Sequence, residues 1–237
     1  MKRKEQQQIS EAKIGLNEPN IELLNTDCMR YLNCCADKQF DLAIVDPPYG
    51  IGIHKMNFTQ NRKGGLAQRG DYSSVGDWDK EIPEQEYWNE LMRISKNQII
   101  WGGNFFPLPQ SRGWIFWDKR TDDRYNVDFA DGELAWTSFD RPIRCFRWLW
   151  NGMLQQNMKN KQIRIHPTEK PKALYDWLLM NYAKKGDKII DTHLGSGSIA
   201  MACWNMKHDL VGMDINISYV EAAQKRFDNY KKQLTLF

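Results

Sequence analysis

Residues 188–214 read KIIDTHLGSGSIAMACWNMKHDLVGMD, and their order decides the fold. Lys188 to Asp191 is a short apolar strand, and Gly195-x-Gly197 makes a tight turn. An apolar helix runs on to Met206, and Leu210 to Met213 gives a second strand ending at Asp214. Strand, glycine turn, helix, strand and acid is a geometry that holds a nucleotide-like ligand. The glycines let backbone come close, the helix start offers free N–H groups, and the terminal acid accepts from ribose hydroxyls. The spacing is not GxGxxG, so a dinucleotide is disfavoured. By itself a GSGS turn is weak evidence; its neighbours give it weight.

The helix before this unit opens at Pro171, with Leu174, Leu178 and Tyr182 facing inward, and the spacing predicts that Gly186 ends it. The last helix is predicted over 218–232. Far upstream, Phe40 to Val45 (FDLAIV) reads as a buried strand that runs straight into Asp46-Pro47-Pro48-Tyr49-Gly50. Neither proline can donate to a sheet ladder, so the strand stops there and Asp46 lies at its carboxyl end. Open α/β sheets place ligands at that end. Ile21 to Leu24 reads as another strand and 28–36 as a helix. A helix is predicted from Pro83 with Tyr87, Leu91 and Ile94 on one face. Gln98–Trp101, Trp114–Trp117 and Glu133–Thr137 read as strands.

Taken together, Asp46-Pro47-Pro48-Tyr49, His166-Pro167-Thr168-Glu169-Lys170-Pro171, the glycine loop and Gly212-Met213-Asp214 resemble the beta class of DNA amino-methyltransferases. In that class the catalytic loop precedes the cofactor loop. The resemblance implies an α/β, Rossmann-like methyltransferase fold with a mixed, mostly parallel sheet, helices on both faces and a circularly permuted motif order. It implies S-adenosylmethionine as cofactor and the exocyclic amine of a flipped-out adenine in DNA as target. Asp191, Gly195, Ser196, Gly197 and Ser198 would cradle its methionine end, and Asp214 would bind the ribose. His166, Pro167 and Thr168 would close the pocket. Asp27 matches the acid near the cofactor adenine, although as a residue it equally suits a helix cap before Cys28. One departure stands out: where the class usually has Asp-Pro-Phe, this chain has Asp191-Thr192-His193. His193 either keeps a planar face beside the cofactor or is a satisfied histidine.

The chemistry fits those residues. An exocyclic amine is a poor nucleophile because its lone pair is delocalised into the ring. The Asp46 carboxylate and the Pro47 carbonyl, shaped by Pro48, can accept its two N–H protons and free that lone pair. Tyr49 offers a face for stacking a base that has left the duplex. Within the class, Asp at the first position goes mostly with adenine and Ser with cytosine. The alternatives are a cytosine-N4 enzyme, an RNA base methyltransferase, and a non-catalytic subunit that keeps the fold to grip DNA.

At 237 residues the chain reads as a single domain, with ten Trp among its aromatics. Its net charge of +3 is too mild to announce a nucleic-acid partner, but the distribution says more. The glycine-rich stretch 51–80 carries Lys55, Arg62, Lys63 and Arg69 and reads as a lid over DNA phosphates. The region at about 139–165, with Arg141, Arg144, Arg147, Lys159, Lys161 and Arg164, occupies the place where relatives carry sequence recognition. The five cysteines show no metal or disulfide spacing, so no metal is expected. No signal peptide or membrane span is read, and a reducing cytoplasm fits. The tail Gln233-Leu234-Thr235-Leu236-Phe237 resembles a peptide that docks on the bacterial sliding clamp. Many relatives are homodimers.

Overall fold

The computed structural model describes residues 18–51, 81–120, 130–151, 154–159, 161–162 and 168–234. The strands are β1 (Ile21–Asn25), β2 (Phe40–Val45), β3 (Ser95–Trp101), β4 (Trp114–Asp118), β5 (Gly132–Thr137), β6 (Arg144–Arg147), β7 (Trp150–Asn151), β8 (Leu154–Gln155), β9 (Lys188–Asp191) and β10 (Asp209–Asp214). The helices are α1 (Cys28–Leu32), α2 (Gln85–Ile94), α3 (Lys172–Tyr182), α4 (Ser198–Met206) and α5 (Ile217–Leu234). Eight strands form one sheet in the order β1-β10-β9-β2-β3-β5-β4-β6. Five of its neighbouring pairs are parallel and the two made by β5 are antiparallel.

Side chains alternate between two cores, as a strand's two-residue period requires. Leu42, Ile44, Ile99, Trp101 and Ile189 face one core, which also takes Leu174 and Leu178 of α3, Ile199 of α4 and Phe227 of α5. Ala43, Val45, Ile100 and Ile190 face the other, with Leu32 of α1 and Tyr87, Trp88 and Leu91 of α2. Helices therefore cover both faces, and FDLAIV is apolar almost throughout because both its faces are buried. The predicted face of α2 is the buried one.

Two details differ from the sequence reading. α3 ends at Tyr182, because Ala183 is already extended, and Gly186 instead serves the turn before β9, where the Asp187 amide donates to the Lys184 carbonyl at 2.9 Å. The stretch from Arg141, which showed no clean periodicity, contains three short strands, β6 to β8, too brief for a period to register. The lid residues Lys55, Arg62, Lys63 and Arg69 lie outside the described residues, as do His166, Pro167, Arg164 and the last three residues of the tail. No described helix is long and apolar enough to cross a membrane.

The sheet order positions the site. From β9 the chain continues outward to β10, and from β2 it continues the opposite way to β3. β2 and β9 are parallel neighbours, with Leu42 beside Ile189 and Ala43 beside Ile190. Their carboxyl ends thus lie side by side at the point where the winding reverses, where doubly wound sheets open a crevice.

Candidate active site

Asp46 is the first residue beyond β2, which ends at Val45, and neither of the prolines that follow can donate to the sheet ladder. The Tyr49 hydroxyl donates to Asp46 Oδ1 at 2.7 Å. The Tyr49 ring stacks on Phe105 (5.1 Å between centroids, planes 18° apart) and meets the edge of Phe106. Burial, with the Asp46 charge alongside, pushes the Tyr49 phenol well above its ordinary range, so it stays a donor.

The Lys170 ammonium pairs with Asp46 Oδ2. It also reaches Glu133 Oε2 on β5 at 3.1 Å and lies 5.2 Å from the centroid of the Trp101 ring. Lys119, just beyond β4, closes on the other oxygen of Glu133. Burial alone would raise the Glu133 carboxyl, but Lys119 and Lys170 outweigh it and hold it at about 2. Lys170 loses to burial and gains more from Asp46 and Glu133, so its ammonium titrates above the usual lysine range. Cations and carboxylates alternate along this chain of four.

The glycine loop forms the opposite wall. Gly197 caps α4 with φ +67, and a Cβ there would stand 2.7 Å from the Cβ of Ala223. Only glycine lets α4 and α5 approach so closely. The Gly195 amide donates to Asp214 Oδ2 at 3.0 Å, and Asp214 Oδ1 accepts from the Asn216 amide at 2.9 Å. Burial raises the Asp214 carboxyl. Asp191 is buried, accepts from the His193 amide at 3.0 Å, and is pushed up to about 8, first by burial and then by Asp46 and Asp214. Arg226 of α5 donates to the Ser196 carbonyl and Ser198 Oγ at 3.2 Å and pairs with the buried Glu169 at 2.9 Å.

The unexpected Thr192-His193 pair is part of a buried hydrogen-bonded chain. Tyr87 Oη lies 2.7 Å from Thr192 Oγ1, which lies 2.9 Å from His193 Nδ1. Burial lowers the imidazole to about 4, so His193 is neutral near pH 7. Its ring stands edge-on to Tyr87.

Between the walls lies a cavity of about 500 Å³. Asp46, Pro47, Pro48 and Tyr49 of the catalytic loop line it together with Asp27, Thr168, His193, Gly195, Ser196 and Asp214. Asp27 both lines it and caps α1, accepting from the Arg30 amide at 3.1 Å, so its two readings coexist. Asp191, Gly197 and Ser198 stand behind the lining. The sequence reading missed Glu133, Lys170 and Tyr175 in the wall. Glu133 was visible as a lone acid in an otherwise apolar strand, and Lys170 lay inside the quoted motif before Pro171.

Of the basic residues assigned to recognition, Arg141 donates to the Asn181 carbonyl at 2.7 Å and Arg147 pairs with Asp118 at 3.0 Å. Arg144, Lys159 and Lys161 are exposed. Trp150 is core, donating to the Glu169 carbonyl at 2.7 Å.

A family model described as DNA methylase, of the N6/N4 type, matches residues 114–225. The chain is 37% identical to the type II methyltransferase M.HpaI of Haemophilus parainfluenzae, over 87% of this chain and 74% of that one. It is 23% identical to the type II methyltransferase M2.DpnII of Streptococcus pneumoniae, over 90% and 91% of the two chains. The chain therefore belongs to the N6/N4 DNA methylase family. Among solved structures it resembles an M1.HpyAVI–SAM complex (TM-score 0.53, 17% identity, 87% of this chain and 99% of that one). It also resembles the cytosine-N4-specific PvuII DNA methyltransferase (TM-score 0.55, 12% identity, 89% and 87%). At these identities the likeness concerns the fold, which is the Rossmann-like fold of S-adenosylmethionine-dependent methyltransferases.

Proposed function

We propose that this chain methylates the exocyclic N6 amine of an adenine turned out of duplex DNA, with Asp46, Pro47 and Tyr49 at the reacting centre. The observation that carries the reading is spatial. The Asp46 carboxylate and the glycine loop, far apart in sequence, face one cavity at adjacent strand ends.

The residues present fit S-adenosylmethionine. The cavity lies within the ~300–1,000 Å³ range of small-molecule sites. Asp27 and Asp214 on its wall, with Asp191 behind, suit a ligand that carries positive charge and ribose hydroxyls. When bound, S-adenosylmethionine supplies a methyl group made electrophilic by the sulfonium charge. Every other requirement falls on the chain's own groups. Asp46 has two oxygens with about four lone-pair sites, of which Tyr49 and Lys170 use one each, leaving acceptor capacity for an amine N–H. The Pro47 carbonyl takes the second N–H, and Tyr49, which lines the cavity, packs beside the base. The same Asp46 carboxylate, paired with Lys170, receives the proton that the methylated amine must shed. His193, Gly195 and Ser196 shape the donor side, and exposed Arg144, Lys159 and Lys161 contact phosphates.

Adenine is preferred to cytosine because Asp, not Ser, begins the catalytic loop. The test is to incubate the purified protein with S-adenosylmethionine and unmethylated plasmid DNA, digest to nucleosides and identify the product by mass spectrometry. N6-methyladenine is expected. N4-methylcytosine would overturn the choice of base, and methylation of RNA in place of DNA would overturn the substrate.

A further inference from the structure

We propose that Lys170 is a positioning residue for methyl transfer, setting the Asp46 carboxylate in the orientation that accepts from the target amine. This rests on the reading of Asp46 given above and assigns a role to a residue outside the Asp46–Tyr49 loop.

Asp46 sits on a loop, so nothing in its backbone fixes where its oxygens point. Two donors do so: the Tyr49 hydroxyl on Oδ1 and the Lys170 ammonium on Oδ2. Tyr49 belongs to the same loop. Lys170 does not. It precedes Pro171, the cap of α3, and its side chain is only 3% exposed. Its ammonium is held independently by Glu133 of β5 at 3.1 Å and by the face of Trp101 of β3. Glu133 is in turn fixed by Lys119, whose ammonium lies 4.4 Å from the centroid of the Trp117 ring. The chain Lys119–Glu133–Lys170 thus transmits the sheet's rigidity to Asp46.

The alternative is a structural tie between residues 168–170 and the sheet. Energetics argue against a tie alone, because a buried ion pair often stabilises no more than apolar residues of the same volume. The geometry supplies what such a tie does not need, namely a charge aimed at one oxygen of the reacting carboxylate. A misplacement of about 1 Å at a reacting group lowers a rate by about a hundredfold.

The experiment is a double-mutant cycle in single-turnover methylation of unmethylated plasmid DNA with radiolabelled S-adenosylmethionine. It compares wild type, Lys170→Met, Asp46→Asn and the double variant, with Lys170→Arg beside them. Calorimetric cofactor affinity and thermal melting accompany each protein. Lys170→Met is expected to slow the step about a hundredfold while changing cofactor affinity less than about threefold. In the Asp46→Asn background the same change is expected to cost less than about threefold, since its effect passes through Asp46. Lys170→Arg is expected to recover part of the rate. Equal losses in both backgrounds, or a loss confined to cofactor affinity, would overturn the proposal. If Lys170→Met does not fold, Glu133→Gln, which loosens the anchor and leaves the ammonium, is expected to slow the step about tenfold; an unchanged rate there would also overturn it. An undiminished rate in Asp46→Asn alone would instead refute the role given to Asp46.

Discussion

Gly102→Ala tests how tightly the catalytic loop is held. Gly102 follows β3 at φ +69 and passes directly beneath Tyr49. A Cβ at this position would stand 2.2 Å from Tyr49 Cε1, 2.6 Å from Cδ1 and 2.7 Å from Cζ. Ordinary contact begins near 3.4 Å, so the ring must retreat by about 1.2 Å or the backbone must move. Behind Tyr49 stand Phe105 and Phe106, and its hydroxyl is committed to Asp46 at 2.7 Å. The displacement is large enough to break that hydrogen bond. Left-handed backbone costs an alanine about 1–2 kcal/mol, and overpacking adds about 1–3 kcal/mol. A 1 Å error at the reacting centre corresponds to about a hundredfold in rate. Gly186→Ala is the control: Gly186 has φ +87 but open space where the Cβ would go, so it meets the strain without the clash. Single-turnover methylation and denaturant melts are measured for both variants. Gly186→Ala is expected to lose about 1–2 kcal/mol of stability at full rate, and Gly102→Ala to lose both stability and rate. A folded Gly102→Ala protein with wild-type rate would refute the claim that the position of Tyr49 matters.

Three further predictions concern the donor side. The folded Asp191 carboxyl titrates near 8 against about 3.9 when unfolded, so its contribution to stability is complete below pH 4 and is lost as pH rises through 8. Asp191→Asn is therefore expected to flatten the decline in unfolding free energy of the ligand-free protein over that window, by at most about 6 kcal/mol in denaturant melts; an unchanged slope would contradict this. His193 has the opposite sign. Its pKa is lowered to about 4, so stability present above pH 6.5 is lost as pH falls through 4, by about 3 kcal/mol, and His193→Phe is expected to remove that acid limb in melts. Arg226→Met takes a partner from buried Glu169 and from the Ser196 carbonyl, so stability is expected to fall by about 3 kcal/mol and cofactor affinity to weaken in calorimetry.

Much of this architecture was legible in local sequence. FDLAIV announced a strand because both its faces are buried, and two prolines announced where it stops. The span from Pro171 to Leu234 was readable because helix and strand periods alternate there with short turns. What the sequence could not show was pairing at a distance. Asp46 and Lys170 are 124 positions apart, and Tyr87 and Thr192 are 105 apart. Neither pairing leaves a local pattern, since the sheet order, not the neighbouring sequence, brings the partners together. The contacts of Arg141 with the Asn181 carbonyl and of Arg147 with Asp118 are likewise absent from any local pattern. Charge composition says where cations are, but not which are already paired.

The most direct test of the whole account is single-molecule sequencing of plasmid DNA from a methylation-free host expressing the wild-type chain or Asp46→Ala. N6-methyladenine is expected in one short sequence motif with the wild type and none with Asp46→Ala. Equal marking by both proteins would contradict the assignment of Asp46, and no marking by either would contradict the assignment of this chain to DNA adenine.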